Sequence, residues 1–223
     1  MRGSRGPSRR RVLAADVVLL AAVTGAGFRI AVLHGRVRAL QAQVIRDPLT
    51  GAFNRRHLHT ALAAAVERRR RGGERAALLY LDVDRFKAVN DVLGHATGDR
   101  VLRDLVALVS QRLRKVDALF RVGGEEFALL LSGAGLSQAI AVAETLRALV
   151  DDAGILPQRQ LSISIGVVEL GPGQTVPEWM AAADAALYRA KRAGRNRVAA
   201  RFNATPPAPE QTGTRLSFPV RTS

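Results

Sequence analysis

The hydrophobic positions along the chain follow two periods, which separate helices from strands. Helical spacing of apolar residues covers four segments: 54–70, 98–114, 136–150 and 177–193. Apolar runs of strand length cover Ala76–Leu81, the two flanks of Gly123-Gly124, Leu161–Val168 and Arg197–Ala200. The resulting order, β-α-β-β-α-β with additions at the edges, predicts an α+β domain with the ferredoxin-like sandwich topology over residues 47–200.

The flanks of Gly123-Gly124 predict a β-hairpin, since adjacent glycines supply positive φ angles to a tight turn without steric cost. Glu125 and Glu126 follow the glycines directly and precede an apolar strand. In the ferredoxin-like topology the first and third strands are neighbours, and the hairpin turn meets the end of the first strand. Asp82, at the end of that first strand, is therefore expected to converge with Glu125.

The pattern changes before the domain begins. Residues 1–11, rich in Arg, Gly, Ser and Pro, predict a disordered basic N-terminus, and 12–33 is apolar over the length of a bilayer span. Its uncharged centre covers only 17–28, so three interpretations stay open: a transmembrane or membrane-associated helix, the apolar region of a signal peptide, or a soluble dimerising helix. Heptad spacing continues over 34–46 and predicts a helical coiled-coil-like stalk.

Composition and charge exclude several classes of protein and of site. The 223 residues carry a net charge of +15, of which residues 1–46 contribute +8 through nine Arg and one Asp. A nucleic-acid groove across the domain is therefore disfavoured, and a basic nucleic-acid-binding protein is kept only as a rival. The lack of cysteine excludes disulfides and thiolate metal sites. Residues 201–223, dominated by Pro, Thr and Ser, predict a disordered tail.

Three carboxylates near the predicted hairpin tip, Asp82, Asp84 and Glu125, form a hard-oxygen site. Mg²⁺ prefers one or two carboxylates completed by water and substrate phosphates, so the pattern indicates Mg²⁺, with Mn²⁺ as the alternative. Asp84 also fits a strand-end cap, which leaves it a secondary role. The sequence has no Gly-x-x-x-x-Gly-Lys-Ser/Thr run, so a P-loop is excluded and a nucleoside triphosphate would be held by metal, backbone amides and lysine.

Six motifs in order give the domain a family resemblance. They are DPLTGAFNRR (47–56), LDVDRFKAVND (81–91), GHATGD (94–99), GGEEF (123–127), SISIG (162–166) and ADAALYRAKRAGRN (183–196). Over about residues 45–200 the chain resembles the GGDEF-type diguanylate cyclases, with the signature in its Gly-Gly-Glu-Glu-Phe form. The resemblance implies a nucleotidyltransferase that condenses two GTP into cyclic di-GMP and two pyrophosphates across a homodimer.

The same resemblance implies roles for individual residues. Asp82, the carbonyl of Val83 and Glu125 would bind Mg²⁺. Glu125, Glu126 and Lys87 would be catalytic. Substrate contacts would come from Phe86, Asn90, His95, Asp99, Lys191 and Arg195. A carboxylate such as Asp99 can accept from guanine N1–H and N2–H₂ together, a pair that adenine lacks, which favours GTP over ATP.

Several of these residues also have simpler interpretations. Asp99 fits the N-cap of the helix over 98–114, His95 a loop residue, and Lys191 with Arg195 the basic end of a helix. The alternative function is a catalytically silent module that binds GTP or cyclic di-GMP. GTP is cytoplasmic, which places the catalytic domain there, tethered to the bacterial inner membrane by 12–33 if that segment inserts. The positive-inside rule opposes this topology, because five Arg precede the segment.

A second ligand site precedes the hairpin. Arg114-Lys115-Val116-Asp117 matches the Arg-x-x-Asp sequence through which the family's product inhibits, and arginine can bind guanine and phosphate with two hydrogen bonds. The simpler interpretation is a basic helix end followed by a loop acid. Arg147, in the helix over 136–150, is a candidate for a second arginine of this site.

Overall fold

The structure is a computed structural model that describes residues 45–156 and 160–201. Within these ranges the strands are β1 (Phe53–Asn54), β2 (Ala76–Val83), β3 (Ala118–Arg121), β4 (Glu126–Ser132), β5 (Ile163–Glu169) and β6 (Val198–Arg201). The helices are α1 (Arg55–Gly72), α2 (Phe86–Leu93), α3 (His95–Ser110), α4 (Leu136–Asp152) and α5 (Val176–Arg192).

The strands form one sheet in the order β1-β3-β4-β2-β5-β6. Strand β2 lies at the centre and pairs antiparallel with both β4 and β5. The inner four strands have the ferredoxin-like arrangement, which confirms the predicted α+β fold. Strands β1 and β6 extend the two edges, and each pairs parallel with its neighbour. The two residues of β1 are too short to show a period of two, so the sequence pattern missed this strand.

Helices cover both faces of the sheet, because alternate strand residues point to opposite sides. Leu79 and Leu81 of β2 pack with α2, α3 and α4 in one core. Leu78 packs with α1 and α5 in the other. Trp179 of α5 is fully buried in this second core, and its indole N–H donates to the Val168 carbonyl at 3.1 Å.

The segment between β2 and the hairpin differs most from the prediction. The segment holds two helices where the sequence predicted one, over 98–114. Helix α2 was missed, and α3 begins at His95 and ends at Ser110. Gly94, with φ of 79°, separates them. The eight residues of α2 contact the core only through Phe86 and Val89, too few to reveal a helical period. Asp99 therefore lies inside α3, so its interpretation as an N-cap was wrong.

Helix α5 approaches β5 unusually closely at Gly166. A Cβ built on Gly166 would lie 2.2 Å from the Leu187 nitrogen and 2.5 Å from the Ala183 oxygen, both backbone atoms of α5. Only a glycine fits there, and this contact fixes the distance between the sheet and the helix that carries Lys191.

The predictions for the segments 1–11 and 12–33 lie outside the described residues, as do most of the predicted stalk and all of the predicted tail 201–223 except Arg201, which belongs to β6. In the part of the chain that the structure covers, no helix combines the length and apolar character needed to cross a membrane. The membrane-associated helix thus stays a prediction from sequence.

Candidate active site at the end of the central strands

Two acidic residues face each other at one end of the sheet. Asp82 in β2 is the direct partner of Glu126 in β4. Leu78 and Ala128, an even number of positions away on the same strands, lie in the core formed with α1 and α5. Because side chains alternate along a strand, both carboxylates are presented to the face that α5 covers.

A lysine of α5 neutralises part of this charge. Lys191 Nζ lies 2.6 Å from Asp82 Oδ2. Burial raises the pKa of Asp82, the hydrogen bond and charge of Lys191 lower it, and the charges of Glu125 and Glu126 raise it again, leaving the pKa above its usual value. One ammonium therefore does not compensate for burial together with the two neighbouring acids, and a further cation would lower the pKa of Asp82.

The glycines of the turn are needed for a different physical reason from the one predicted. Neither Gly123 nor Gly124 has a positive φ, so the expectation that they supply left-handed backbone was wrong. A Cβ on Gly123 would instead lie 2.8 Å from Glu126 Oε2. Gly123 thus leaves room for the Glu126 carboxylate beside the turn.

The acidic residues at the strand ends fit a hard divalent cation. The Val83 amide donates to the Glu125 carbonyl at 3.3 Å, which ties the turn to the end of β2. Among the residues described, no group of three or more His, Cys, Asp or Glu side chains is placed to hold a metal ion. Two carboxylates, Asp82 and Glu125, suit Mg²⁺, which completes its coordination with water and phosphate oxygens.

Beyond Asp82 the chain turns sharply into α2. Arg85 adopts a left-handed conformation with φ of 56°, and α2 starts at Phe86. Lys87, the second residue of α2, is exposed. The first amides of a helix have no intrahelical acceptor, so this end of α2 offers N–H groups and a lysine to an anion beside the carboxylates.

The predicted guanine-binding residues come together around Gly98. A Cβ on Gly98 would lie 2.0 Å from Asn90 Oδ1 and 3.1 Å from the Phe86 ring. Asn90, in the second half of α2, thus packs on the first turn of α3 at Gly98, which directly precedes the exposed Asp99. His95, also exposed, is the first residue of α3. Sequence reasoning gave Gly98 no role, although its place in the GHATGD motif was a signal.

For the GTP substrate that the family resemblance implies, we expect Gly98→Ala to weaken binding more than folding. The added methyl group would displace the Asn90 amide, a side-chain end that can move at little cost to stability. The apparent KM for GTP should rise about tenfold, the loss of one or two hydrogen bonds, with the melting temperature nearly unchanged. Steady-state kinetics on Gly98→Ala, Asn90→Ala and the double variant would check this. Additive rather than overlapping effects on KM would contradict a route through Asn90.

The hydrogen-bond partners of Asp84 lie in β5, just before it, and after α5, rather than in the acidic cluster around Asp82. Asp84 is 7% exposed. Its Oδ1 accepts from Ser164 Oγ at 2.7 Å, and its Oδ2 accepts from Ser162 Oγ at 2.8 Å and from the Asn196 amide at 3.0 Å. The strand-end cap that the sequence suggested is therefore a bridge to the segment after α5, which holds the exposed Arg195.

An arginine before the signature connects the turn to the start of the domain. Arg121 donates to the Gly124 carbonyl at 2.8 Å and to Asp47 Oδ1 at 3.0 Å. Burial opposes the charge of Asp47, but hydrogen bonds from Thr50 and Arg121 outweigh it and hold the pKa below its usual value. Sequence reasoning missed Arg121, because its partner lies 74 positions away.

The predicted inhibitory residues lie away from the carboxylates. The Arg114 amide donates to Asp117 Oδ2 at 3.1 Å, and both residues line a groove of about 600 Å³ together with Arg46 and Arg103. Arg147 does not line this groove. Its guanidinium instead binds residues of its own helix and the segment after α5, so these contacts do not support it as the second arginine of the site.

Cavity size alone does not identify the site. A depression of about 330 Å³ beside the carboxylates is lined by Glu126, Asp184, Tyr188 and Lys191. A larger one, of about 720 Å³, lies between the end of α1 and the loop after β5, at the opposite end of the sheet. Of these two, only the smaller one is lined by Glu126, which faces Asp82, and by Lys191, which pairs with Asp82.

The fold and this arrangement agree with a family assignment. Residues 44–197 match the family model described as "Diguanylate cyclase, GGDEF domain". The chain therefore belongs to the GGDEF family.

Similar proteins support the same assignment. The chain is 40% identical over 164 residues to the probable diguanylate cyclase DgcC of Escherichia coli K12, a match that covers 72% of this chain and 44% of DgcC. It thus spans less than half the length of that relative. Its fold is similar to the coiled coil and GGDEF domain of DgcB from Caulobacter crescentus in complex with c-di-GMP, with TM-score 0.68 and 30% identity over 82% of this chain and 99% of that one.

A third similar protein was solved with a partner. The diguanylate cyclase SiaD of Pseudomonas aeruginosa, in complex with its activator SiaC, has a TM-score of 0.67 and 37% identity. The match covers 86% of this chain and 75% of SiaD.

Proposed function

We propose that the domain is a diguanylate cyclase, which condenses two GTP into cyclic di-GMP with release of two pyrophosphates. The observation that carries the proposal is the pairing of Asp82 with Glu126 across adjacent strands, with Lys191 Nζ 2.6 Å from Asp82. This acidic, cation-seeking end of the sheet lies in a chain of the GGDEF family.

Each new bond in this reaction joins O3′ of one GTP to the α-phosphorus of the other, and the bond from that phosphorus to the leaving pyrophosphate breaks. The O3′ proton passes to a carboxylate, for which Glu126 and Glu125 are the candidates. Lys87, near the exposed start of α2, stabilises charge on the phosphates. Lys191 and Arg195 hold further phosphate oxygens.

Asp82, the Val83 carbonyl and Glu125 would hold Mg²⁺, with Mn²⁺ as the alternative. When bound, the metal neutralises triphosphate charge and favours ionisation of the attacking hydroxyl. Asn90 and Asp99 recognise the guanine edge, and His95 lies near the substrate.

The reaction requires two copies of the chain. One acidic cluster serves one GTP, and a two-fold axis between two such clusters lets each O3′ attack the opposite α-phosphate. The heptad spacing of 34–46 supports a homodimer. Because GTP is the substrate, we place the domain in the cytoplasm, with or without a membrane tether at 12–33.

The test is incubation of the purified full chain with GTP and Mg²⁺. We expect cyclic di-GMP, with two pyrophosphates released per product, and no product with ATP or after chelation of the metal. GTP binding without turnover in a folded, dimeric sample would select the silent binding module. The absence of both binding and turnover would overturn the proposal.

We further propose feedback by product at Arg114 and Asp117. The support is the groove that these residues line, where Arg46, Arg103 and Lys115 add positive charge for the phosphates of cyclic di-GMP.

Arg114→Ala is expected to relieve product inhibition. The local turn should survive, since Asp117 accepts from the backbone amide of Arg114 rather than from its side chain. Loss of the guanidinium should raise the half-inhibitory product concentration about tenfold or more, with kcat unchanged. Inhibition curves with added cyclic di-GMP measure this. Arg112→Ala, which removes an exposed arginine that does not line the groove, is the control. Equal inhibition of Arg114→Ala and wild type would refute the site.

A further inference from the structure

The segment after α5 has a conformation that its side chains do not favour. Arg195 and Asn196 have φ of 64° and 43°, so two consecutive residues that are not glycine lie in the left-handed region. The left-handed region is unfavourable for arginine and more accessible to asparagine, and two such residues in succession persist only where neighbouring groups stabilise them. We call residues 194–197 the left-handed turn.

Two sets of hydrogen bonds hold this turn. From the sheet, Asp84 Oδ2 accepts from the Asn196 amide at 3.0 Å. From α4, Arg147 Nη1 donates to Asn196 Oδ1 at 2.9 Å, and Asn196 Nδ2 donates to Asp151 Oδ2 at 3.1 Å. Asn196 therefore makes hydrogen bonds through its backbone N–H and through both the oxygen and the nitrogen of its side chain.

The carboxylate of Asp84 is fully engaged by neutral donors. Its two oxygens accept three hydrogen bonds, two from serine hydroxyls of the SISIG motif and one from Asn196. The Asp84 amide also donates to the Ser162 carbonyl at 2.9 Å. A buried carboxylate with three donors is satisfied without a metal ion, in contrast to Asp82, which neighbours two other acids.

The left-handed turn also fixes the backbone position of Arg195. Its amide donates to the Ala190 carbonyl at 3.1 Å, and its side chain is exposed immediately beyond the helix that holds Lys191 against Asp82. The backbone carbonyl of Arg195 also accepts from Arg197 Nε at 3.0 Å. The backbone of Arg195 is thus held by two hydrogen bonds, four residues after Lys191.

We propose that Asp84 is a positioning residue, which acts with Asn196 and Arg147 to hold the left-handed turn so that Arg195 reaches an anionic phosphate of the bound nucleotide. Asp84 is not a metal ligand. This rests on the proposed function, which supplies the phosphate. In the acidic pair Asp82-x-Asp84, one residue thereby serves the cation and the other positions the arginine.

The first test compares Asp84→Ala with Asp84→Asn. The probe is 3′-deoxy-GTP with Mg²⁺, which lacks the attacking hydroxyl and therefore binds without reacting. Alanine should raise its dissociation constant about tenfold, as expected when one charged hydrogen bond is lost. Asparagine should restore binding, because its oxygen can face the Asn196 amide while a serine hydroxyl rotates to accept from its NH₂. If Asparagine is as defective as alanine and also needs more Mg²⁺, Asp84 is a metal ligand and the proposal is wrong.

The second test asks whether Asp84 acts through Arg195. Arg195→Ala alone should weaken 3′-deoxy-GTP about as much as Asp84→Ala, and the double variant should be no worse than either. Additive losses would overturn the proposal.

A nucleotide-free measurement separates this inference from the proposed function. Amide hydrogen exchange of a peptide covering residues 193–198 should speed up in Asp84→Ala and stay near wild type in Asp84→Asn. Should Asp84→Ala not fold, Asn196→Gly replaces it: glycine accepts the positive φ and keeps the amide bond to Asp84, but loses both side-chain bonds. Unchanged exchange in the alanine and glycine variants would refute positioning. Failure of wild type to bind 3′-deoxy-GTP would instead refute the proposed function.

Discussion

Glu126→Gln is expected to lower the turnover of GTP by about a thousandfold, within the range for loss of a general base. Glutamine has the same shape but cannot accept the O3′ proton. The fold should not suffer, because Glu126 directly faces Asp82 and like charges opposite each other in a sheet destabilise it. The free energy of unfolding should stay constant or rise by roughly 0.2–1 kcal/mol.

The same experiment distinguishes the two glutamates. Glu125→Gln should also abolish turnover, with a higher Mg²⁺ requirement if Glu125 binds the metal. Initial rates of cyclic di-GMP formation across a range of Mg²⁺ concentrations measure both effects. Glu67→Gln, an exposed glutamate beside the depression at the opposite end of the sheet, is the control and should retain wild-type turnover. Substantial activity in both Glu125→Gln and Glu126→Gln would rule out this active site.

Gly166→Ala should destabilise the domain by about 3 kcal/mol, the upper part of the usual range for an overpacked core. Its methyl group would lie 2.2 Å from the Leu187 nitrogen, and neither that backbone atom nor the strand can move alone. Helix α5 would have to shift away from β5. Activity should fall as well, because the shift would move Lys191 relative to Asp82.

Urea denaturation followed by circular dichroism measures the loss. Gly72→Ala is the matched control, since the same methyl group meets nothing within 4 Å at the end of α1. That variant should be unchanged or stabilised by up to about 1 kcal/mol, the advantage of alanine over glycine in a helix. A Gly166→Ala protein as stable as Gly72→Ala would show that the helix and sheet are less tightly packed than described.

Much of the fold could be predicted from local pattern. Long periodic segments such as α4 and the buried strand β2 were located to within two residues, because each contains enough apolar positions to define its period. Short elements were not: β1 has two residues and α2 eight, and both depend on contacts with distant parts of the chain.

The active site was predicted unevenly for a similar reason. Motifs supplied the residue types, including Asp82, Glu125 and Glu126, and the topology implied their approach. The sequence could not reveal the partners of Asp84, which lie 78, 80 and 112 positions away along the chain, or the Asp47 partner of Arg121, which lies 74 positions away. The purpose of Gly123 was also misjudged, because a sequence does not show whether a glycine provides conformational freedom or room for a neighbour.

By itself, the sequence determined the α+β class, the order of the long elements, the GGDEF resemblance and the acidic character of the site. These follow from periodicity and from motifs that are contiguous in the chain. Only the tertiary structure decided that Lys191 pairs with Asp82, that Gly98 seats Asn90, and that Asp84 supports the left-handed turn. The physical reason is that side-chain partners depend on how closely helices and strands pack, and that distance is set by the whole fold rather than by neighbouring residues.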